Sequence, residues 1–161
     1  MRKLTTLIGL LALGLATAGR AEDKADHLAV IVGKGNPLES ATFAELQKYF
    51  RAEKTKGSDG NKIAIVMLAA GQPERGAALR EIYKMTEGEY NKYFLQATFT
   101  GTVAAAPKAL PSAAAVKKFV AETPGAIGYL PGSEVDDSVK VVKVDGHLPG
   151  EPEYKLNLTA H

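Results

Sequence analysis

The chain contains no cysteine and no tryptophan, and only three of its 161 residues are histidine. Without cysteine there is no disulfide framework, no thiol nucleophile and no thiolate metal site. His27, His147 and His161 share no metal-ligand spacing, so neither a metal nor another cofactor is expected. No serine sits in the strand-to-helix pattern of a nucleophile elbow. The residue types that carry catalysis are therefore poorly represented, and the chain reads as a non-enzyme. There is no internal repeat, and no apolar run reaches the roughly 20 residues that a bilayer span requires. A large excess of one charge sign is also missing, with 20 Lys and Arg against 18 Asp and Glu.

What the N-terminus does contain is a targeting pattern. Arg2 and Lys3 precede an uncharged, mostly apolar stretch over residues 4–18, and small residues follow through Ala21. A charged start, a short apolar run and a small-residue finish read as a cleaved secretory signal over residues 1–21, in preference to a buried N-terminal helix. No cysteine is available for a lipid anchor, so the expected location is periplasmic or secreted. Removing Arg2, Lys3 and Arg20 takes the net charge from +2 to −1 (2 − 3). A nearly neutral mature chain gives no electrostatic case for nucleic acid or membrane binding. Its length suits one domain with one core, here residues 22–148, followed by a tail over 149–161.

Residues 28–32 (LAVIV) and 63–68 (IAIVML) are continuous apolar runs that read as buried strands. Between them, Thr42-Phe43-Ala44-Glu45 is a capping box that opens a helix with Leu46, Tyr49 and Phe50 on one face. After the second strand, Pro73 suits a first helical position, and Leu79, Ile82 and Tyr83 supply an apolar face. Thr86-Glu87-Gly88-Glu89 is a second capping box, ahead of Tyr90, Tyr93, Phe94 and Ala97. Residues 103–115 form an Ala-rich patch broken by Pro107 and Pro111. Ser112 then caps a helix that buries Val116, Phe119 and Val120, and residues 126–130 and 139–144 close the pattern as strands. Beyond His147 the chain is loop-like, although Tyr154, Leu156 and Leu158 alternate as an edge strand would. Strands separated by crossovers of helical length predict an α/β fold with a mixed sheet flanked by helices.

Ligands of such sheets sit where strand ends meet helix starts, and residues 71–76 (GQPERG) occupy one such turn. Arg75 has the wrong sign for the positive end of a helix. At about 100° per residue it projects with Leu79 and Ile82, toward the sheet. Either a negative group joins it there, beside helix-start N–H groups and Gly76, or its stem covers the core edge and its head reaches water. Arg80 lies to one side. Gln72, Arg75 and Gly76 are thus candidate anion ligands. Thr100, Gly101 and Thr102 are a second set, whose hydroxyls either bind an oxyanion or cap a helix end. Glu87 and Glu89 read as a solvated helix start, and Asp136 and Asp137 as a polar turn. Gly128 inside a strand predicts a close packing approach.

Taken together, "VIVGKGNP", "FAELQKYF", "SDGNKIAIV", "ALREIY", "FTGT" and "PGAIGYLPGS…VKVV" resemble, in that order, a domain of the phosphate-binding type II periplasmic binding proteins of ABC transporters. The resemblance spans residues 28–144 and implies a short, single-lobe member. It implies phosphate or a related oxyanion as ligand, and a transporter membrane component or another protein as partner. One lobe encloses little of a small ion, so a homodimer restoring the cleft, or an interaction module that has lost its ligand, are the alternatives. The family's arginine-acid-glycine-serine-glycine-threonine run is replaced here by Gly71-Gln72-Pro73-Glu74-Arg75-Gly76. Its phosphate-selecting hydroxyl and acid are therefore not carried over.

Overall fold

Residues 28–32 carry no charge and no polar side chain, and as β1 (Leu28–Gly33) they form an interior strand of the sheet, inaccessible to solvent. The computed structural model describes residues 26–159. The expected signal over residues 1–21 and His161 lie outside the described residues. β1 is followed by β2 (Ser40–Ala41), α1 (Phe43–Phe50), β3 (Ala64–Leu68) and α2 (Pro73–Ala78). A five-residue π-helical segment (Leu79–Tyr83) continues α2, and α3 (Glu87–Phe99), β4 (Lys108–Leu110) and α4 (Ala113–Glu122) come next. β5 (Ala126–Pro131), a 3-10 turn (Gly132–Glu134), β6 (Val139–Val141) and β7 (Lys143–Val144) complete the order.

The main sheet has the order β4-β3-β5-β1-β6. β3 runs parallel to β4 and β5, whereas β1 is antiparallel to both β5 and β6. This is the expected α/β arrangement with a mixed sheet. Both capping boxes form. The Thr42 hydroxyl accepts the Glu45 N–H at 3.2 Å while Glu45 accepts the Thr42 N–H at 3.0 Å, and Thr86 and Glu89 repeat the exchange at 3.3 and 2.7 Å. Leu46, Tyr49 and Phe50 of α1 are buried, as are Tyr90, Phe94 and Ala97 of α3.

Three features depart from the sequence pattern. The helix after Pro73 does not stay α-helical: its π-helical segment adds a residue to the turn, so Leu79, Ile82 and Tyr83 all reach the core. Side chains of α1 and its C-cap meet the carbonyls at the end of the π-helical segment, with Gln47 donating to Ile82 O (2.9 Å) and Arg51 to Tyr83 O (2.7 Å). The Ala-rich patch contains a strand, β4, held between Pro107 and Pro111 and paired with β3 in register Met67 with Ala109. Prolines are tolerated there because β4 is an edge strand. Finally, residues 139–144 do not form one strand. β6 stays in the main sheet, Val142 donates to Val30 O (2.9 Å), and β7 turns away to pair with β2.

The tail beyond His147 folds back onto β1. Tyr154 and Leu156 are buried, the Leu28 N–H donates to Leu156 O at 2.9 Å, and the Leu158 N–H donates to Asp26 O at 2.7 Å. The Tyr154 hydroxyl donates to Leu28 O at 2.6 Å. The alternation of apolar residues is thus realised as a short antiparallel bridge rather than a full edge strand.

Candidate functional site

The end of β3 and the start of α2 are joined by a turn in which Gly71 takes φ 89°, a conformation that glycine enters without steric cost. Gln72 leads into Pro73 at the first helical position, and its Nε2 donates to Pro111 O at 3.4 Å. A groove of about 720 Å³ opens beside this turn, lined by Gly71, Gln72, Arg75, Gly76, Leu79 and Arg80, and closed on the far side by residues 84–87 and Glu89. A Cβ built on Gly76 would meet nothing within 4 Å, so the glycine widens the groove. Lys84, at its rim, adopts φ 55°, a strained left-handed backbone for a non-glycine residue.

Arg75 points inward, as its helical position predicts, and only 6% of the residue is exposed. The negative group that joins it belongs to this chain. Nε donates to both oxygens of Glu87 (2.9 and 3.2 Å) and Nη2 donates to Oε1 at 2.7 Å. Nη1 donates to the Leu68 carbonyl at 3.0 Å, and the guanidinium carbon lies 4.8 Å from the centre of the Tyr90 ring. The alternative in which the head reaches water is therefore wrong. So is the reading of Glu87 as a merely solvated helix start: it sits at the first position of α3 and clamps Arg75 from there. Its hydrogen bonds from Arg75 hold the Glu87 carboxyl below its ordinary range, and the same contact raises the arginine. Burial pushes the Tyr90 phenol up to about 12 against the pull of Arg75, so Tyr90 stays neutral at working pH.

The helix-start amides contribute less than the sequence implied. Pro73 has no N–H, and the Arg75 and Gly76 amides both close on Gln72 O at 3.1 and 3.3 Å. Arg80 is not idle either. It pairs with Glu81 at 2.7 Å and donates to Asn157 O and Leu158 O at 3.1 and 3.4 Å, tying the tail to the π-helical segment.

The structure brings Gln72, Arg75 and Gly76 to one groove and leaves Thr100, Gly101 and Thr102 elsewhere. These lie at the C-terminal end of α3, about 20 Å from Glu87 along a 13-residue helix. The Thr100 hydroxyl donates to Gln96 O (3.0 Å) and lies 3.0 Å from that of Thr102. Gly101 takes φ 73°, and the Thr102 N–H closes on Ala97 O at 2.9 Å. This is a helix C-cap, at the end where the dipole repels anions. Sequence reasoning missed Glu87, Tyr90 and the Leu68 carbonyl as partners of Arg75. The one available signal was an acid next to a capping box, at the start of a neighbouring helix. Among the described residues, no group of three or more His, Cys, Asp or Glu is placed to hold a metal ion, and no helix is long and apolar enough to cross a membrane.

No family model matches the sequence, but solved structures match the fold. A putative phosphate ABC transporter substrate-binding protein with bound phosphate from Clostridium perfringens aligns at TM-score 0.64 and 25% identity, over 81% of this chain and 50% of its own. An ABC-type phosphate transport receptor from Vibrio cholerae aligns at 0.62 and 20%, over 77% and 48%. PstS from Borrelia burgdorferi aligns at 0.59 and 16%, over 77% and 49%. The fold is that of a single periplasmic-binding-protein-like lobe, and the chain spans about half the length of the solved structures it matches.

Proposed function

We propose that this chain is an exported solute-binding-like protein that takes a small oxyanion, phosphate or a relative, at the Arg75 groove, and works beside an ABC-type transporter. The observation that carries this reading is the bidentate edge of a buried guanidinium, facing a groove at a strand end and already holding a carboxylate. Phosphate accepts the same paired N–H donors. An incoming oxyanion takes that edge by exchange. Glu87 is free to leave because its side chain is 42% exposed and its charge is well solvated outside the groove. Likeness to a phosphate-bound structure of the same fold supports the ligand class. The transporter-linked role and the extracytoplasmic location rest on that likeness together with the N-terminal sequence pattern.

A second reading is favoured by a specific observation. Arg75 is satisfied on three sides without any ligand, while Leu95 and Phe99 on α3 stand 74% and 91% exposed. In that case the ion pair is a permanent tie, and the lobe is an interaction module that docks a partner protein or a second copy. A thermal-shift series separates the two, run with phosphate, sulfate and chloride at matched ionic strength on the wild type and Glu87→Gln, with mass determined in solution. Stabilisation by phosphate over chloride, enlarged in Glu87→Gln, supports the oxyanion reading. Identical melting in all three salts for both proteins rejects it.

A further inference from the structure

The C-terminal half of α3 is apolar on two sides. Tyr90, Phe94 and Ala97 face the core, as amphipathic spacing requires. At about 100° per residue, Leu95 and Phe99 point the opposite way. Among the described residues, they are the large apolar side chains that stand exposed. From that side of the helix neither can reach this chain's own core. Scattered exposed apolar residues are ordinary, but these two lie four apart and form one continuous ridge.

The ridge sits in a neutral stretch. From Tyr93 to Pro107 the sequence holds no charged residue, in a chain where charged residues make up 24%. Much of this stretch is surface. Between residues 91 and 106, twelve residues are exposed, and Lys92 alone of them carries a charge. Aliphatic and aromatic side chains on a surface cleared of charge give the composition of an interface core.

The positions of the nearest charges single out a second copy as the occupant. In a two-fold contact residue i of one copy meets residue j of the other, and j meets i, so a charged face sets like charges against each other. Here that conflict does not arise. When α3 crosses its counterpart antiparallel, with the axis at the level of Ala97, Leu95 of each copy meets Phe99 of the other. Lys92 then falls level with Thr102 of the second copy, which is neutral, and Glu87 and Glu89 lie outside the contact.

We infer that this face of α3 is a homodimer interface, with the Leu95–Phe99 ridges of two copies packed antiparallel about a two-fold axis. The contact is compatible with either reading of the Arg75 groove, because α3 borders that groove at Glu87 and Glu89, toward its other end. Stable interfaces take about 20–30 residues from each side. Twelve exposed residues are about half of that, so the dimer should be weak, with a Kd of about 1–100 µM.

The test is sedimentation equilibrium of the full chain and of Leu95→Glu and Phe99→Lys, each alone and then mixed. The wild type should dimerise in the stated range. Each single variant sets a charge against an apolar side chain of the other copy and should dimerise at least about tenfold more weakly. Mixed in equal amounts, the two variants should recover dimers, because the new carboxylate faces the new ammonium while the second Leu95–Phe99 contact stays apolar. Both side chains are exposed, and Leu95→Ser with Phe99→Ser, expected to lose dimers as the single variants do, serves if a charge disturbs folding. A wild type that stays monomeric at about 0.5 mM, well above the expected Kd, overturns the inference and leaves this face to a different partner. So does dimerisation unchanged in the variants, or a mixture of the two charged variants that stays monomeric. No arm of the experiment contains phosphate, so its outcome is read separately from occupancy of the Arg75 groove.

Discussion

Replacing Arg75 with alanine removes three things whose costs can be separated. The Leu68 carbonyl loses the donor that now reaches it at 3.0 Å, worth about 1–3 kcal/mol for a buried acceptor left unpaired. The contact with the Tyr90 ring is lost, about 0.5–2 kcal/mol. Glu87 returns to water at little cost, because its side chain is already 42% exposed. The total is about 1.5–5 kcal/mol, several times the effect of truncating an exposed arginine. Replacing Glu87 instead strands a guanidinium whose side chain is 7% exposed. Breaking a buried pair in this way costs about 3–5 kcal/mol, toward the lower figure here because the groove admits water. The double variant buries no charge, so it should cost about as much as Arg75→Ala alone. The sum of the single changes should therefore exceed the double by the cost of the Glu87 change itself, about 3 kcal/mol, read from urea unfolding of all four proteins. Additivity within about 0.5 kcal/mol would refute the reasoning and return Arg75 and Glu87 to the class of solvated surface pairs.

The ion pair also has a pH signature. The folded-state value of Glu87 lies below its ordinary 4.5, so the stability it contributes is complete above that value and is lost as pH falls through the folded value. The stability gap between wild type and Glu87→Gln should be constant near neutrality and close below about pH 4.5; a gap that persists undiminished in strong acid contradicts this. Glu45 and Glu89 are lowered too, by backbone hydrogen bonds from Thr42 and Thr86, but they cancel between the two proteins. Gly128→Ala would place its Cβ 2.9, 3.0 and 3.1 Å from methyls of Val66, Val116 and Val120. It should destabilise by about 1–3 kcal/mol, with Gly128→Val worse, and an unchanged thermal melt would show that these valines give way. Leu156→Ala removes a fully buried side chain and should cost about 2–5 kcal/mol. A loss under about 0.5 kcal/mol in chemical denaturation would mean that the tail is not docked on β1 in solution.

Local signals were readable wherever local chemistry decides the structure. The two capping boxes, Pro73 and the apolar run of β1 each need only a few neighbouring residues, and all form as the sequence predicts. The inward direction of Arg75 was also legible, since it follows from helical spacing alone. Its partner was not. Glu87 lies 12 residues on, beyond the π-helical segment and the left-handed Lys84, and no periodicity survives both breaks. β4 was hidden because three residues between two prolines carry no propensity of their own; pairing with β3 makes them a strand. The separation of Thr100 and Thr102 from the groove is likewise a matter of packing. A Thr-Gly-Thr sequence reads the same at a helix end whether it caps or binds.

The central claim is that an oxyanion exchanges with Glu87 on the bidentate edge of Arg75. The most direct measurement is the NMR signal of the Arg75 Nε–H, assigned through Arg75→Lys and followed during titration with phosphate at constant ionic strength, with sulfate and chloride in parallel. The account predicts a saturable shift of that signal with phosphate and not with chloride, accompanied by movement of the Glu87 side-chain carboxyl carbon. A signal that stays fixed while phosphate is added, with Glu87 still in place, would contradict it.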